Sequence, residues 1–334
     1  MNWNNEFCRQ NNIRMPIIMA PMFLVSNVAM IKAAMRHGIM GAFPSLNFRN
    51  DGELEQVLET LETFYQSPEN KGGNYGVNLI VQRSNPLFEK HLKICLEHKV
   101  RFFITSLGSP QRVIEEAHRY GGKVYCDVTN LEHAKKCYEL NCDGFIAVGQ
   151  GAGGHAGPNP LHVLVPALRE AFPDKPVIAA GGIANGEGIL ASIALGASAV
   201  SIGTRFIASE ESSVSQAYKD AIIESDMDDI VLSERISGTP CTIINTPYAK
   251  KIGYKQNWFE KLLNRNRTTR KYFKMLTQIR GMGKLADSVK PGNYKTLWCA
   301  GKSVELISTI KPVGEIVQEL EQEFGQALNR IKAL

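Results

Sequence analysis

Residues 176–206 read PVIAAGGIANGEGILASIALGASAVSIGTRF and contain the pattern that decides the fold. An apolar run ends in a glycine pair, an amphipathic stretch follows, and a second β-branched run ends in Gly203-Thr204. Short apolar runs that alternate with helical periodicity are typical of parallel strands joined by helices. The stretch therefore predicts a strand–helix–strand unit with a glycine turn at the carboxyl end of each strand.

The same alternation runs through the first 205 residues. The predicted strands are Pro16–Ala20, Met40–Pro44, Tyr75–Val81, Arg101–Thr105, Lys123–Val128, Gly144–Val148, Pro176–Ala180 and Ala199–Gly203. Eight such units predict an α/β protein with a closed (β/α)8 TIM barrel. A doubly wound sheet is the alternative, but no G-x-G-x-x-G turn follows the first strand.

Charge separates the carboxyl-terminal part of the chain from the rest. Residues 250–284 hold eleven Lys and Arg and one acid, hence +10, whereas the whole chain carries +5 and the remainder −5. We expect a barrel from 1–228 plus 301–334, ending in a helix, and a mostly helical basic insert or lid at 229–300. The basic residues form either a solvated helical face or a docking surface for an anionic partner.

Composition restricts the class of protein. The chain has 334 residues, is 44% hydrophobic and 21% charged, and contains no apolar run long enough for a membrane span. The first twenty residues are polar, unlike a secretion signal, and seven cysteines without close pairing favour a reducing compartment. These features predict a cytoplasmic globular protein.

Two glycine turns predict a phosphate site. Gly181-Gly182 follows the seventh strand and Gly203-Thr204 the eighth, where barrel phosphate sites usually lie. Backbone without Cβ atoms can approach an anion closely, and the amino terminus of the helix near Asn185 would add favourable potential. The expected ligand is a phosphorylated cofactor or substrate.

The loop after the sixth strand carries the candidate base. It reads GQGAGGHAG at residues 149–157, and His155 stands in a setting that the other six histidines lack. Histidine titrates near neutral pH and can remove a weakly acidic proton or hold an anion. Metal-binding patterns, a G-x-S-x-G elbow and a Walker loop are absent from the sequence, so no metal site is expected.

Five motifs together resemble the nitronate monooxygenase family, also called 2-nitropropane dioxygenases. They are Ile18-Met19-Ala20-Pro21-Met22, Gly76-Val77-Asn78-Leu79-Ile80-Val81, Ala152-Gly153-Gly154-His155, Ala180-Gly181-Gly182-Ile183-Ala184 and Gly203-Thr204-Arg205-Phe206. The resemblance covers about residues 13–245 and resumes at 298–303. It implies an FMN-containing barrel that oxidises alkyl nitronates with O2 to carbonyl compounds and nitrite.

The resemblance also implies roles for individual residues. His155 would be the catalytic base. The FMN-binding residues would be Ala20, Pro21, Met22, Asn78, Gln150, Gly153, Gly181, Gly182, Gly203 and Thr204. The family commonly has an acid at the position of Gly151, an arginine at that of Ala156 and a glutamine at that of Val148, with Gln150 as a substitute here. The segment Ala300-Gly301-Lys302-Ser303 resembles a turn that returns to the cofactor.

Two other functions remain open from the sequence. One is an NAD(P)H-dependent flavin reductase of the same superfamily, acting on an enoyl-acyl-carrier-protein or a quinone, for which the basic segment would meet an acidic carrier protein. The other is a phosphosugar-binding barrel or an inactive binding module. For the main hypothesis the expected partners are a small anionic nitronate and O2. Neither nucleic acid nor a membrane is expected as a partner. The sequence leaves open whether the protein forms a homo-oligomer.

Overall fold

The computed structural model of the chain describes residues 3, 5–82, 84–234, 240–255 and 297–334. Eight parallel strands close into a barrel in sequential order, which confirms the predicted fold class. The strands are β1 (Ile17–Met19), β2 (Met40–Pro44), β3 (Asn74–Ile80), β4 (Phe102–Ser106), β5 (Lys123–Val128), β6 (Gly144–Val148), β7 (Val177–Ala180) and β8 (Ala199–Ile202). The register Ile18↔Ser201 between β1 and β8 closes the ring.

Helices surround the barrel as the periodicity predicts. They are α2 (Val28–Arg36), α3 (Glu53–Tyr65), α4 (Phe88–Glu97), α5 (Gln111–His118), α6 (Leu131–Glu139), α7 (Leu161–Ala171), α8 (Gly186–Ala194), α9 (Thr204–Ile207) and α10 (Gln216–Glu224). Asparagine side chains cap α2, α6 and α8 at Asn27, Asn130 and Asn185 by accepting a first-turn N–H, as helix starts require. None of the described helices combines the length and the hydropathy that crossing a membrane would take.

A short helix that the sequence pattern did not reveal closes the opposite end of the barrel. Helix α1 (Glu6–Asn11) places Phe7 among the inward-facing side chains, where its ring lies 5.7 Å from that of Tyr125 and 6.3 Å from that of Phe102. Asn74 at the start of β3 donates to the carbonyl oxygen of Asn11 at 2.8 Å. The cavity can therefore open only at the carboxyl ends of the strands.

The carboxyl-terminal region adds three described pieces. Strands β9 (Ile230–Ser233) and β10 (Cys241–Ile244) pair antiparallel, and helix α11 (Pro247–Ile252) follows them. Helix α12 (Val313–Lys332) packs on α8 and α2. Residues 256–296, and with them most of the basic segment, lie outside the described residues, so the lid at 229–300 stays a prediction.

Candidate active site

A cavity of about 1500 Å³ opens at the carboxyl ends of the barrel strands. All eleven residues predicted as site residues line it, although they come from five separate stretches of sequence. They are Ala20, Pro21, Met22, Asn78, Gln150, Gly153, His155, Gly181, Gly182, Gly203 and Thr204. The structure thus places them in one cavity, while their roles toward a cofactor remain predictions.

Unpaired backbone donors lie at the turns after β7 and β8. No described residue accepts a hydrogen bond from the backbone N–H of Gly182, Gly203 or Thr204. Gly181 and Gly182 have φ angles of 117° and 77°, which glycine adopts readily and other residues rarely do. Backbone N–H groups that face a cavity without a protein acceptor suit an anionic ligand such as a phosphate.

The first turn of the helix after Asn185 spends two of its three N–H groups inside the protein. The side-chain oxygen of Asn185 accepts from the N–H of Gly188 at 2.9 Å, and Glu323 of α12 accepts from the N–H of Gly186 at 2.8 Å. Among the described residues, no acceptor takes the N–H of Glu187. The contribution of this helix to a phosphate site therefore stays a prediction, and the unpaired donors at the two glycine turns carry most of the argument.

Three backbone segments pack so closely at the cavity wall that each needs glycine. A Cβ on Gly151 would lie 2.9 Å from Cα of Gly182, and one on Gly181 would lie 2.6 Å from the nitrogen of Ala152. A Cβ on Gly301 would lie 2.4 Å from the carbonyl oxygen of Gly151. Part of the glycine pattern is therefore explained by packing, and the acid common in the family does not fit at position 151.

The turn at residues 300–303 does lie at the barrel mouth. The N–H of Gly301 donates to the hydroxyl oxygen of Thr204 at 3.0 Å, and Lys302 and Ser303 line the cavity. Lys302 Nζ donates to the carbonyl oxygen of Met227 at 2.9 Å. The turn after β8 is thus held by a segment almost one hundred residues away in sequence.

The loop that carries His155 is held by β10. Gly154 and Thr242 exchange backbone hydrogen bonds of 3.2 and 2.7 Å, and the Thr242 hydroxyl donates to the carbonyl oxygen of Ala152 at 2.6 Å. The His155 side chain reaches the open cavity, yet the protein around it limits hydration of the imidazolium. This desolvation lowers the pKa of His155, so its neutral, proton-accepting form prevails at neutral pH.

Hydrogen bonds to neighbouring side chains hold the loop after β1 in place. The N–H of Met22 donates to the hydroxyl of Ser26 at 2.9 Å, and the side-chain amide of Asn47 donates to the carbonyl oxygen of Met22 at 3.1 Å. Ala20 donates to Ile202 across the seam between β1 and β8 at 2.8 Å. This fixed apolar shelf is suited to support a planar ring.

Asn78 belongs to a polar network that the sequence did not reveal. Its side-chain amide donates to the hydroxyl of Ser106 at 2.8 Å and to the carbonyl oxygen of Ile104 at 3.2 Å. Ser106 in turn donates to a carboxylate oxygen of Asp127 at 2.5 Å. The only signal for this network in the sequence was the single acid in strand β5, Asp127.

Val148, which stands where the family commonly has a glutamine, and its suggested substitute Gln150 differ in exposure. Gln150 is exposed and lines the cavity, and its backbone N–H donates to the carbonyl oxygen of Asn159 at 2.9 Å. Val148 is half-buried, pairs with Ala180 of β7 and packs with the inward-facing apolar side chains. The Gln150 side chain is free of the strand ladder, which leaves its substitute role toward a cofactor as a prediction.

Fold and cavity together describe a (β/α)8 barrel whose mouth carries unpaired backbone donors. The family model described as nitronate monooxygenase matches residues 46–323. The chain belongs to the nitronate monooxygenase family and is an enzyme of the oxidoreductase class.

Three relatives show how far the similarity extends. A probable nitronate monooxygenase of Staphylococcus saprophyticus is 29% identical over 286 residues, covering 72% of this chain and 78% of the relative. The (3aS,4S,5R,7aS)-5-hydroxy-7a-methyl-1-oxo-octahydro-1H-indene-4-carboxyl-CoA dehydrogenase of Rhodococcus jostii is 27% identical over 245 residues, covering 73% of this chain and 67% of that protein. The structure of FabK from Thermotoga maritima superposes with a TM-score of 0.84 at 29% identity and covers 99% of both chains.

Proposed function

We propose that the protein is an FMN-dependent nitronate monooxygenase, which oxidises alkyl nitronates with O2 to carbonyl compounds and nitrite. The observation that carries the proposal is one cavity with unpaired backbone donors on one wall and His155 in its rim loop. A phosphorylated cofactor suits the donors, and a substrate with a weakly acidic C–H bond suits the histidine. The family match supports the same reaction.

The residues present fit FMN. The N–H groups of Gly182, Gly203 and Thr204 would hold its phosphate, and the shelf Ala20-Pro21-Met22 would support its ring system. Asn78 would accept a hydrogen bond from the ring, and Gly153 and Gln150 would contact the cofactor from the loop after β6. When bound, FMN supplies the electron transfer between nitronate and dioxygen.

The protein's own contribution is placement and proton transfer. His155 accepts the proton from the carbon next to the nitro group of a neutral nitroalkane, because its lowered pKa keeps the imidazole neutral. For a substrate that arrives as the nitronate, no proton transfer is needed and His155 only positions the anion. The apolar cavity wall excludes water from the reacting carbon.

An anaerobic absorbance experiment tests the proposal. The FMN-loaded protein is mixed with a short alkyl nitronate, or with NADH or NADPH, while the visible absorbance band of the oxidised flavin is followed. We expect rapid loss of that band with nitronate and none with either nicotinamide, and oxygen consumption with nitrite release once air is admitted. Fast bleaching by NADH or NADPH without a response to nitronate would refute the proposal.

A second candidate is an NAD(P)H-dependent flavin reductase that acts on a thioester. Two observations favour it: the Rhodococcus relative is named a carboxyl-CoA dehydrogenase, and the cavity of about 1500 Å³ exceeds the usual 300–1,000 Å³ of ligand pockets. Such a volume would admit a cofactor together with a bulky acyl group. The nicotinamide arm of the same experiment separates the two candidates.

A further inference from the structure

Asn78, Ser106 and Asp127 form a line of hydrogen bonds across the carboxyl ends of three adjacent strands, β3, β4 and β5. We propose that Asp127 is a positioning residue, which acts through Ser106 to hold the side-chain carbonyl oxygen of Asn78 toward a cofactor bound in the cavity. This inference rests on the proposed function, because it takes FMN as that cofactor.

The direction of the hydrogen bonds follows from Asp127. An ionised carboxylate can only accept, so the Ser106 hydroxyl must donate to it and offers only lone pairs to Asn78. The Asn78 amide must therefore turn its NH2 group toward Ser106. Its second N–H is taken by the carbonyl oxygen of Ile104. The carbonyl oxygen is the one polar atom of that side chain left for a ligand.

Without the carboxylate this direction is held less firmly. A Ser106 hydroxyl that is free to rotate can donate to the carbonyl oxygen of Asn78 as readily as it accepts from its NH2 group. The carbonyl oxygen of Ile104 is then the remaining acceptor that favours the observed direction. A larger share of flipped amide, with its NH2 group toward the ring N–H of oxidised flavin, would weaken binding.

The surroundings of Asp127 leave its carboxyl group without a charged neighbour on the adjacent strands. Asp127 is the sole carboxyl group among the described residues that line the cavity. Strand β4, which carries Ser106, pairs with β5 on one side, and Ile146 of β6 pairs with Asp127 on the other. Cys126 on β5 and Cys137 on α6 are the thiols close by. Hydrogen bonding among the neighbouring cysteines, together with burial, raises the pKa of both, so neither carries charge near neutral pH.

The charge of Asp127 depends on pH within the working range. Burial raises the pKa of its carboxyl to about 6, and the hydrogen bond from Ser106 opposes this rise. Among the described residues, the basic side chains that line the cavity are His133 and Lys136 of α6, His155 of the loop after β6, and Lys302. Above pH 6 the carboxylate fixes the direction of the network. Below pH 6 the neutral carboxyl can donate a proton itself, and the direction is held less firmly.

Binding of FMN to the apoprotein, followed by quenching of flavin fluorescence, tests the inference without any turnover. We expect Ser106→Ala and Asp127→Ala to weaken binding about three- to tenfold at pH 7.5, which corresponds to the loss of one hydrogen bond. Asp127→Asn retains an acceptor oxygen and should restore part of the affinity. Wild-type affinity should fall below pH 6, whereas that of Asp127→Asn should not change there.

Matched variants separate positioning from general damage. Ser45→Ala removes a buried hydroxyl that bonds to His91 and does not line the cavity, so FMN affinity should stay within twofold of wild type. In an Asn78→Ala background, Asp127→Ala should cause no further loss, because the amide it orients is gone. Thermal unfolding of each variant, followed by circular dichroism, identifies those that fail to fold.

Two outcomes would overturn the inference by itself. One is wild-type affinity in Asp127→Ala, and the other is an undiminished effect of Asp127→Ala in the Asn78→Ala background, which would mean that Asp127 acts on FMN directly. A wild-type apoprotein that takes up no FMN would instead refute the proposed function, and the inference with it.

Discussion

The hydroxyl of Thr242 donates to the carbonyl oxygen of Ala152 across 2.6 Å and joins two segments that are ninety residues apart. Thr242 lies on β10, outside the barrel, and Ala152 lies three residues before the candidate base. The loop with His155 is rich in glycine, and its sequence alone suggests a pliable backbone. This hydrogen bond shows how the added strand pair β9–β10 restrains the loop with His155.

Replacing Thr242 with valine tests that restraint. Thr242→Val keeps the backbone pairing and shape but removes the one hydroxyl donor, which reaches Ala152 and more distantly Gly154 and is worth about 1 kcal/mol. We expect kcat/KM to fall about five- to tenfold while FMN remains bound. Thr63→Val, on the exposed face of α3, is the control. Unchanged kinetics in Thr242→Val would show that the loop holds its conformation without this hydroxyl.

Removal of the candidate base should separate two substrates. His155→Ala should retain FMN, lose turnover of the neutral nitroalkane by about a hundredfold and lose nitronate turnover by less than tenfold. For the wild type, turnover of the nitroalkane should rise with pH through a pKa below the ordinary histidine value and then level off, since the neutral imidazole is the base. Steady-state kinetics on both substrates measure this, with His162→Ala of α7 as control. Equal losses for the two substrates would leave His155 a positioning role only.

The capping of α8 leads to a prediction about stability and not about binding. Asn185→Ala removes the acceptor for the Gly188 N–H and should lower the free energy of unfolding by about 1 kcal/mol. FMN affinity should stay within twofold, because most of the unpaired donors for the phosphate lie in the glycine turns. Chemical denaturation and flavin titration check the two parts. A loss of affinity above tenfold would assign α8 a larger part in the phosphate site.

Gly151 offers a test of the close packing at the cavity wall. A Cβ there would lie 2.9 Å from Cα of Gly182 and displace the turn after β7. Gly151→Ala should therefore weaken FMN binding at least about tenfold, in line with overpacking costs of ~1–3 kcal/mol. Gly121→Ala is the control for a strained glycine substitution away from the cavity, because Gly121 has a φ of 83° but open space around it. If both variants bind FMN like wild type, the turn tolerates displacement.

One ion pair away from the cavity predicts how stability depends on pH. Both oxygens of Glu62 accept from Arg101 at 2.7 Å, and this guanidinium holds the pKa of the carboxyl at about 2. The depressed pKa means that the pair stabilises the folded state above about pH 4.5 and that this contribution disappears as the pH falls toward 2. Since a third of each side chain is exposed, we expect about 1 kcal/mol from it.

Urea denaturation of Glu62→Gln at pH 7 and at pH 3 measures this contribution. The variant should be less stable than wild type at pH 7, and the difference should shrink at pH 3. Glu59→Gln, one turn earlier on α3 and exposed, should match wild type at both values. A difference that is constant with pH would assign the loss to packing and not to the charge.

The barrel could be predicted from the sequence because each of its strands is a short apolar run that is recognisable without its partners. The predicted β2, β5 and β6 have the observed bounds, and the other five strands differ by one residue at one or both ends. Helix α1 escaped prediction because its polar sequence buries only Phe7, Cys8 and Asn11, too few residues for a visible periodicity. The antiparallel pair β9–β10 was not predicted within a segment that was interpreted as mostly helical.

The candidate site also contains residues that local sequence reveals and residues that only the structure reveals. Its glycine turns and His155 follow strands directly and could be found from local sequence. Asp127, Ser106 and Thr242 could not, since their relevance depends on partners in neighbouring strands or ninety residues away. The packing of Gly151 against Gly182 likewise became visible only in the three-dimensional structure.

Helix α1 with Phe7 closes one end of the barrel, so among the described residues the cavity opens at the other end. The loop with His155 and the turn at Gly301 lie at that open end. Any molecule bound at this rim would therefore control the exchange with solvent of everything deeper in the cavity.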